Sequence, residues 1–307
     1  MKRLADAAKE YLALRRALGF KLYHQTWWLP DFVSYLEAHG SAVITTELAL
    51  SWARQPPDTS PAWWAYRLSA VRQFARHHRA FDPRTEVPPA DLLPYRKQRL
   101  TPHLYTSDDI DALMRAARGL ASPLRAASYA TLLGLLAATG MRVSEALALD
   151  CDDVDWDRSL LTVRQSKFGK SRHVPLHRST LVALRDYARR RDRLRPHRRS
   201  SSFFLSRVGT RVILQNFHHV FLQLLGLTGL DRAPGRRPRI HDMRHTFAMK
   251  IVRDWYRAGL DVERRLPQLS TYLGHVSPST TYWYLTATPE LLAAVVKRVE
   301  RAGKVRP

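Results

Sequence analysis

Between Phe81 and Pro102, five prolines (Pro83, Pro88, Pro89, Pro94 and Pro102) interrupt a chain that elsewhere repeats its apolar residues at helical spacing. Proline fixes φ and lacks a backbone donor, so neither a regular helix nor a central strand can run through this stretch. With Arg96, Lys97 and Arg99 in it, the segment reads as an extended, stiff, basic linker. The chain is therefore expected to fold as two bodies, residues 1–80 and 103–307, joined at 81–102; its 307 residues suit about two domains.

Before the linker, Leu4, Ala8, Tyr11, Leu12, Leu14 and Leu18 recur with helical spacing and Gly19 follows as a stop. The same period returns at 26–38, 45–54 and 61–78, which predicts a compact module of four short helices. Five of the eight tryptophans (Trp27, Trp28, Trp52, Trp63 and Trp64) lie here. They are read as core, because a small helical module needs large side chains to bury enough surface.

After the linker, Ser107 with Asp108 and Asp109 reads as an N-cap with acids in the first turn of a helix to about Arg118. A second helix spans Pro123 to Thr139, where Gly140 stops it, and a third begins near Met141. Ser159–Gln165 and Arg172–Leu176 read as two strands of a hairpin with Gly169 in its turn, and Phe203–Leu205 as an added edge strand. Helical patterns resume at 178–193, 212–225, 241–258, 264–273, 278–285 and 289–301. The fold class is mainly α, with one small antiparallel sheet in the second body.

Lysine and arginine number 50 against 27 aspartates and glutamates, a formal charge of +23. Such a surplus fits a polyanionic partner, because each neutralised phosphate releases condensed counterions. Arginine outnumbers lysine 41 to 9, so codon bias contributes, but it does not explain why acids fail to balance the arginines. The longest apolar stretch, Ala130 to Met141, is about a dozen residues, short of the roughly 20 that span a bilayer. With acids at Asp6 and Glu10 and no apolar run, the start of the chain does not resemble a secretory signal, and a cytoplasmic protein without a membrane partner is expected. Cys151 is the only cysteine, which excludes an internal disulfide framework and a thiolate-rich zinc site.

Several patterns mimic functional motifs. Gly169-Lys170-Ser171 ends like a phosphate-binding loop, but Arg164 stands where its first glycine belongs. The run Asp150, Asp152, Asp153, Asp155 and Asp157 fails as a calcium loop, with Arg158 and Arg164 at the glycine and glutamate positions, and reads as a solvated turn. Thirteen histidines show no zinc spacing.

Four segments carry the chemistry: ATGMRVSEALAL (138–149), SKFGKSRHVPL (166–176), HDMRH (241–245) and LGHVSPSTTYWY (273–284). In the first, Arg142 opens a helix and Glu145 lies three residues on, on the same face, so the carboxylate can hold the guanidinium toward an anion. His241 and Arg244 repeat this spacing at another helix start, after a loop bearing Arg236, Arg237 and Arg239; together they make a phosphate site with a titratable group. On the hairpin, Lys167 and Lys170 compete to reach a cleft. His275 follows Gly274, and Tyr282 and Tyr284 point about 200° apart on a helix, so one face presents only one of them.

In this order and spacing, over roughly residues 101–300, the four segments resemble the catalytic signature of the tyrosine recombinases, the phage integrase and Xer-type enzymes. The resemblance implies a SAM-like core-binding domain for the N-terminal module and an α+β catalytic domain after it. It implies Arg142 and Arg244 as the pair clamping a scissile phosphate, Lys167 as general acid, His241 and His275 as the two histidines, Tyr284 as nucleophile, and Glu145 as support for Arg142. DNA contacts are expected from Arg96, Lys97, Arg99, Lys170, Arg236, Arg237 and Arg239. The implied activity is cutting and rejoining of double-stranded DNA at an inverted-repeat site through a 3′-phosphotyrosine link, without metal, ATP or other cofactor. The implied assembly is a dimer per site and a tetramer in synapsis, in the cytoplasm at the nucleoid. The segment 291–299 has an apolar stripe and is expected to pack on its own domain or on a neighbouring protomer. A type IB topoisomerase and an inactive DNA-binding regulator are the alternatives. The 31 residues from Arg244 to His275 exceed the family's usual interval, which leaves the helices around 255–269 open.

Overall fold

A computed structural model describes residues 3–93, 101–164, 171–197, 200–232 and 236–274. The chain divides into two compact units, Met1–Leu100 and Thr101–Pro307.

The first unit contains the four helices that the periodicity predicts: α1 (Leu4–Ala17), α2 (Gln25–Ala38), α3 (Thr46–Arg54) and α4 (Pro61–His78). Thr45 starts α3 by accepting the Leu48 N–H at 3.2 Å, and Pro61 occupies the first position of α4, where its missing N–H has no cost. Leu29, Phe32, Leu36, Trp52, Leu68, Val71 and Phe74 close a core with no solvent exposure. The indole N–H of Trp52 donates to Asp31 at 2.9 Å, and the Arg67 guanidinium lies 3.8 Å over its ring. Trp52 and Trp28 are thus core, as read from the sequence, and Trp63 and Trp64 are half-buried against it; Trp27 is 77% exposed and is not.

The chain from Phe81 to Leu93 is tied to this unit instead of running free. Arg72 donates to the carbonyls of Pro88 and Pro89, each at 2.7 Å, Glu86 accepts from the Thr46 N–H, and Leu93 joins the core. Proline-rich backbone offers carbonyls without matching donors, and an arginine from α4 satisfies two of them. Arg96, Lys97 and Arg99 lie outside the described residues.

The second unit contains α5 (Ser107–Arg118), α6 (Pro123–Thr139), α7 (Val143–Ala148), the strands β1 (Val154–Asp155), β2 (Leu160–Val163) and β3 (Arg172–Pro175), then α8 (Arg178–Leu194), α9 (Leu214–Thr228), α10 (Asp242–Arg257) and α11 (Val262–Leu273). The N-cap of α5 is Thr106, one residue before the Ser107 read from the sequence; it accepts from Asp109 N–H while Asp109 accepts from Thr106 N–H. Buried on most of its circumference, α6 is the central helix and packs against α5, α8 and α10. The sheet is antiparallel in the order β1-β2-β3, with Leu160 opposite Pro175 and Val163 opposite Arg172.

This unit departs from its sequence pattern in three further places. β1 lies inside the acidic run, where no apolar alternation signals a strand. That run is not simply a solvated turn: Asp153 is buried and paired with Arg164, and Asp150 is paired with Arg211 at 2.7 Å. Phe203–Leu205 is no edge strand of the sheet; its buried side chains sit between two isolated bridges, Asp150 with Ser202 and Leu205 with Arg211.

Candidate active site

The site forms where four breaks in regular structure meet: the α6–α7 turn, the start of β3, the start of α10 and the end of α11. Gly140 ends α6 at φ +60°, a conformation that costs other residues Cβ strain. A Cβ there would collide with the ring of Phe247 on α10, so the same glycine lets α6 and α10 approach. That approach brings Arg244, on the first turn of α10 and 2% exposed, up to the Gly140 carbonyl at 2.9 Å.

Arg142 immediately precedes α7, and Glu145 closes the first turn behind it. One Glu145 oxygen accepts the Arg142 backbone N–H at 2.9 Å, and the other accepts its guanidinium at 2.7 Å. The i,i+3 pairing expected from the sequence is therefore present. Arg172 at the start of β3 also reaches Glu145, with Nη1 to Oε1 at 3.0 Å and Nη2 to Oε2 at 2.8 Å. Burial alone would raise the Glu145 carboxyl, but Arg172 and Arg142 together override it and hold the group down to about 2.

The end of α11 completes the cluster. Its last carbonyls lack intrahelical partners, and three arginines supply them: Arg172 Nε donates to Tyr272 O at 2.8 Å, Arg244 Nη2 to Leu273 O at 2.6 Å, and Arg142 Nη2 to Gly274 O at 2.8 Å. The negative end of the helix dipole favours the same cations. Gly274 takes φ +67°, and a Cβ on it would stand 3.0 Å from the Arg172 guanidinium. Tyr272, stacked on Phe247 with ring centroids 5.6 Å apart, has its phenol pushed up to about 12 by burial against the pull of Arg172 and Arg244.

His241 stands just before α10, its ring 4.9 Å from that of His245. The imidazole is held down to about 4, first by desolvation and then by the charges of Arg244 and Arg142; since the residue as a whole is exposed, the two neighbouring guanidiniums are the firmer cause. It is therefore neutral at neutral pH. Asp242 is fully buried and accepts from the Arg239 N–H at 2.8 Å, which makes it an anchor for the incoming loop. Its burial, against the pull of Arg236 and His103, pushes the carboxyl up to about 6. Arg236 turns inward, 3.7 Å from Asp242, while Arg237 and Arg239 are exposed.

The structure thus brings together Arg142, Glu145, His241 and Arg244. Lys167, Lys170, His275 and Tyr284 lie outside the described residues, although Gly274, the residue before His275, is held in the cluster. Among the described residues, no group of three or more His, Cys, Asp or Glu side chains is placed to hold a metal ion. No helix among them is long and apolar enough to cross a membrane.

Residues 104–290 match the model of the phage integrase family. The chain belongs to that family, the tyrosine-type site-specific DNA recombinases. Sinorhizobium fredii y4rB, named as an integrase/recombinase, is 46% identical over the full length of both chains. The tyrosine recombinase XerD of Caulobacter vibrioides is 31% identical over 80% of this chain and 77% of its own. Among solved structures, the Tn1549 transposon integrase in complex with transposon right end DNA matches with a TM-score of 0.67 at 17% identity, covering 97% of this chain and all of that one. XerH bound to its difH substrate matches at 0.63 and 18%, over 91% and 78%.

Arg172 is the residue of this recombinase's site that the sequence reading missed, and a signal for it exists. Strand alternation puts Arg172 on the same face as buried Val174, and an arginine aimed inward must find a partner.

Proposed function

We propose that this recombinase cuts and rejoins double-stranded DNA through a covalent 3′-phosphotyrosine intermediate formed by Tyr284. The observation that carries this reading is the convergence of Arg142 and Arg244 on one backbone scaffold, the turn at Gly140 and the end of α11. Attack on a phosphodiester builds charge on the non-bridging oxygens, and planar guanidiniums held in advance can bind that charge without reorganising.

In the proposed step the Tyr284 phenol oxygen bonds to phosphorus and the bond to the 5′ oxygen breaks. A neutral His241 accepts the phenol proton, which its depressed basicity allows at neutral pH while still leaving it a weak base. Lys167 delivers a proton to the departing 5′ oxygen, and His275 borders the same phosphate. The phosphotyrosyl link keeps the diester's bond energy, so a 5′ hydroxyl from another strand reverses the attack without ATP. Arg237 and Arg239 are exposed next to the site and suit DNA phosphates; Arg236 first serves Asp242. Action on inverted repeats, with a dimer per site and a tetramer in synapsis, belongs to the same proposal, as does a cytoplasmic, nucleoid-bound location.

The test is trapping on a nicked suicide substrate built from DNA that the purified protein protects. A protein–DNA adduct should form with chelator present and vanish in Tyr284→Phe. Loss in Tyr282→Phe, with Tyr284→Phe still reactive, would move the nucleophile; no adduct under any condition would reject the reading.

A further inference from the structure

We propose that Arg172 is a positioning residue of this site, with two tasks: it keeps Glu145 from cancelling the charge of Arg142, and it pins the last turn of α11 ahead of His275. The inference rests on the reading that Arg142 binds the scissile phosphate.

Arg172 meets Glu145 as a fork on a fork, one nitrogen to each oxygen at 3.0 and 2.8 Å. The Arg142 side chain uses only one of those oxygens, at 2.7 Å. Bidentate pairing is the stronger arrangement, so the carboxylate's main partner is Arg172, and Arg142 is held at its edge. One negative charge thus faces two positive ones, which leaves a net positive charge for an incoming phosphate. Without Arg172, the same carboxylate is left to Arg142 alone, and orientation is gained only by neutralising the group being oriented.

The second task follows from the remaining nitrogen. Nε of Arg172 donates to Tyr272 O at 2.8 Å, and its guanidinium lies against Gly274, where a Cβ would come within 3.0 Å of it. Since Arg172 begins β3, paired to Val163 on β2, the sheet is fastened to the helix end through one side chain. Its 12% side-chain exposure makes a solvated substitute for these three contacts inaccessible. Lysine cannot replace it, because one ammonium cannot span both carboxylate oxygens and a carbonyl in this geometry.

A residue that merely stabilised the fold would lower melting temperature and leave chemistry on folded, DNA-bound protein intact. The experiment is single-turnover cleavage of the suicide substrate at saturating DNA, for wild type, Arg172→Ala, Arg172→Lys and the double variant Glu145→Gln/Arg172→Ala. Both single variants should cleave about 10- to 100-fold more slowly, with DNA affinity within about threefold of wild type. Removing the uncompensated carboxylate should restore rate, so the double variant should be at least about fivefold faster than Arg172→Ala. A double variant no faster than Arg172→Ala, or a lysine variant at the wild-type rate, overturns the charge-balancing task. Amide exchange over Leu269–Gly274 is read in parallel and needs no DNA: it should accelerate in Arg172→Ala and Arg172→Lys and stay unchanged in Arg237→Ala. Unchanged exchange in both Arg172 variants overturns the pinning task. Should wild type itself cut nothing, the recombination chemistry fails as a reading, and the exchange result alone decides the role of Arg172.

Discussion

At the scale of single residues, the site depends on charges fixed by backbone carbonyls and one carboxylate. Removing one preorganised donor from a developing oxyanion typically costs about 3 kcal/mol, so Arg142→Ala and Arg244→Ala should each lower single-turnover cleavage by about a hundredfold or more. Adduct formation within about threefold of wild type in either variant contradicts the clamp. Glu145 gives a pH signature. Its folded-state value of about 2 lies below the ordinary 4.5, so its stabilisation is present above about pH 4.5 and is lost as pH falls toward 2. Glu145→Gln should therefore be roughly 3 kcal/mol less stable than wild type near neutral pH. The gap should narrow by about 1 kcal/mol on going to about pH 3.5. Denaturant titrations at the two pH values check this, and a constant gap rejects it. Asp242 carries the opposite sign: its raised value means that its contribution grows as pH falls from about 6 toward 3.8.

At the scale of elements, helix ends decide where function sits. Gly140 combines a left-handed backbone with contact against Phe247, so Gly140→Ala carries both a conformational and an overpacking penalty. Together these are about 3 kcal/mol, which should appear as a lower melting temperature and as loss of Arg244's acceptor geometry. Wild-type stability in this variant would mean that α6 and α10 can separate without cost. Gly140 was legible as a helix stop from sequence alone, as was the reach of α5, α6 and α8, because period and punctuation agree there; α9 runs Leu214–Thr228, two to three residues later than its pattern over 212–225. α11 begins at Val262, two residues before its pattern suggests, since Asp261 caps it by accepting the Arg264 N–H. What was not legible is local structure made of polar residues. β1 hides among aspartates, and Phe203–Leu205 is apolar enough for a strand yet finds only isolated bridges. Arg142 with Glu145 was readable because they lie three residues apart; Arg172, 27 residues beyond Glu145, needed the sheet to deliver it.

At the scale of the whole molecule, the charge of +23 is the property most open to measurement. If about eight phosphates are contacted, the logarithm of DNA affinity should fall against the logarithm of salt with a slope near −7. A flat response would separate the basic composition from nucleic-acid binding altogether. The chain leaves α11 at Gly274 through a junction held by arginines. All three arginines there grip peptide oxygens, and peptide oxygens are common to every residue type. The arginines therefore read the backbone and not the side chains, while buried Leu273, Tyr272 stacked on Phe247, and the glycine under Arg172 fix the side chains there. A chimaera spliced directly after Gly274 keeps every one of these grips, because each acceptor lies at or before the splice.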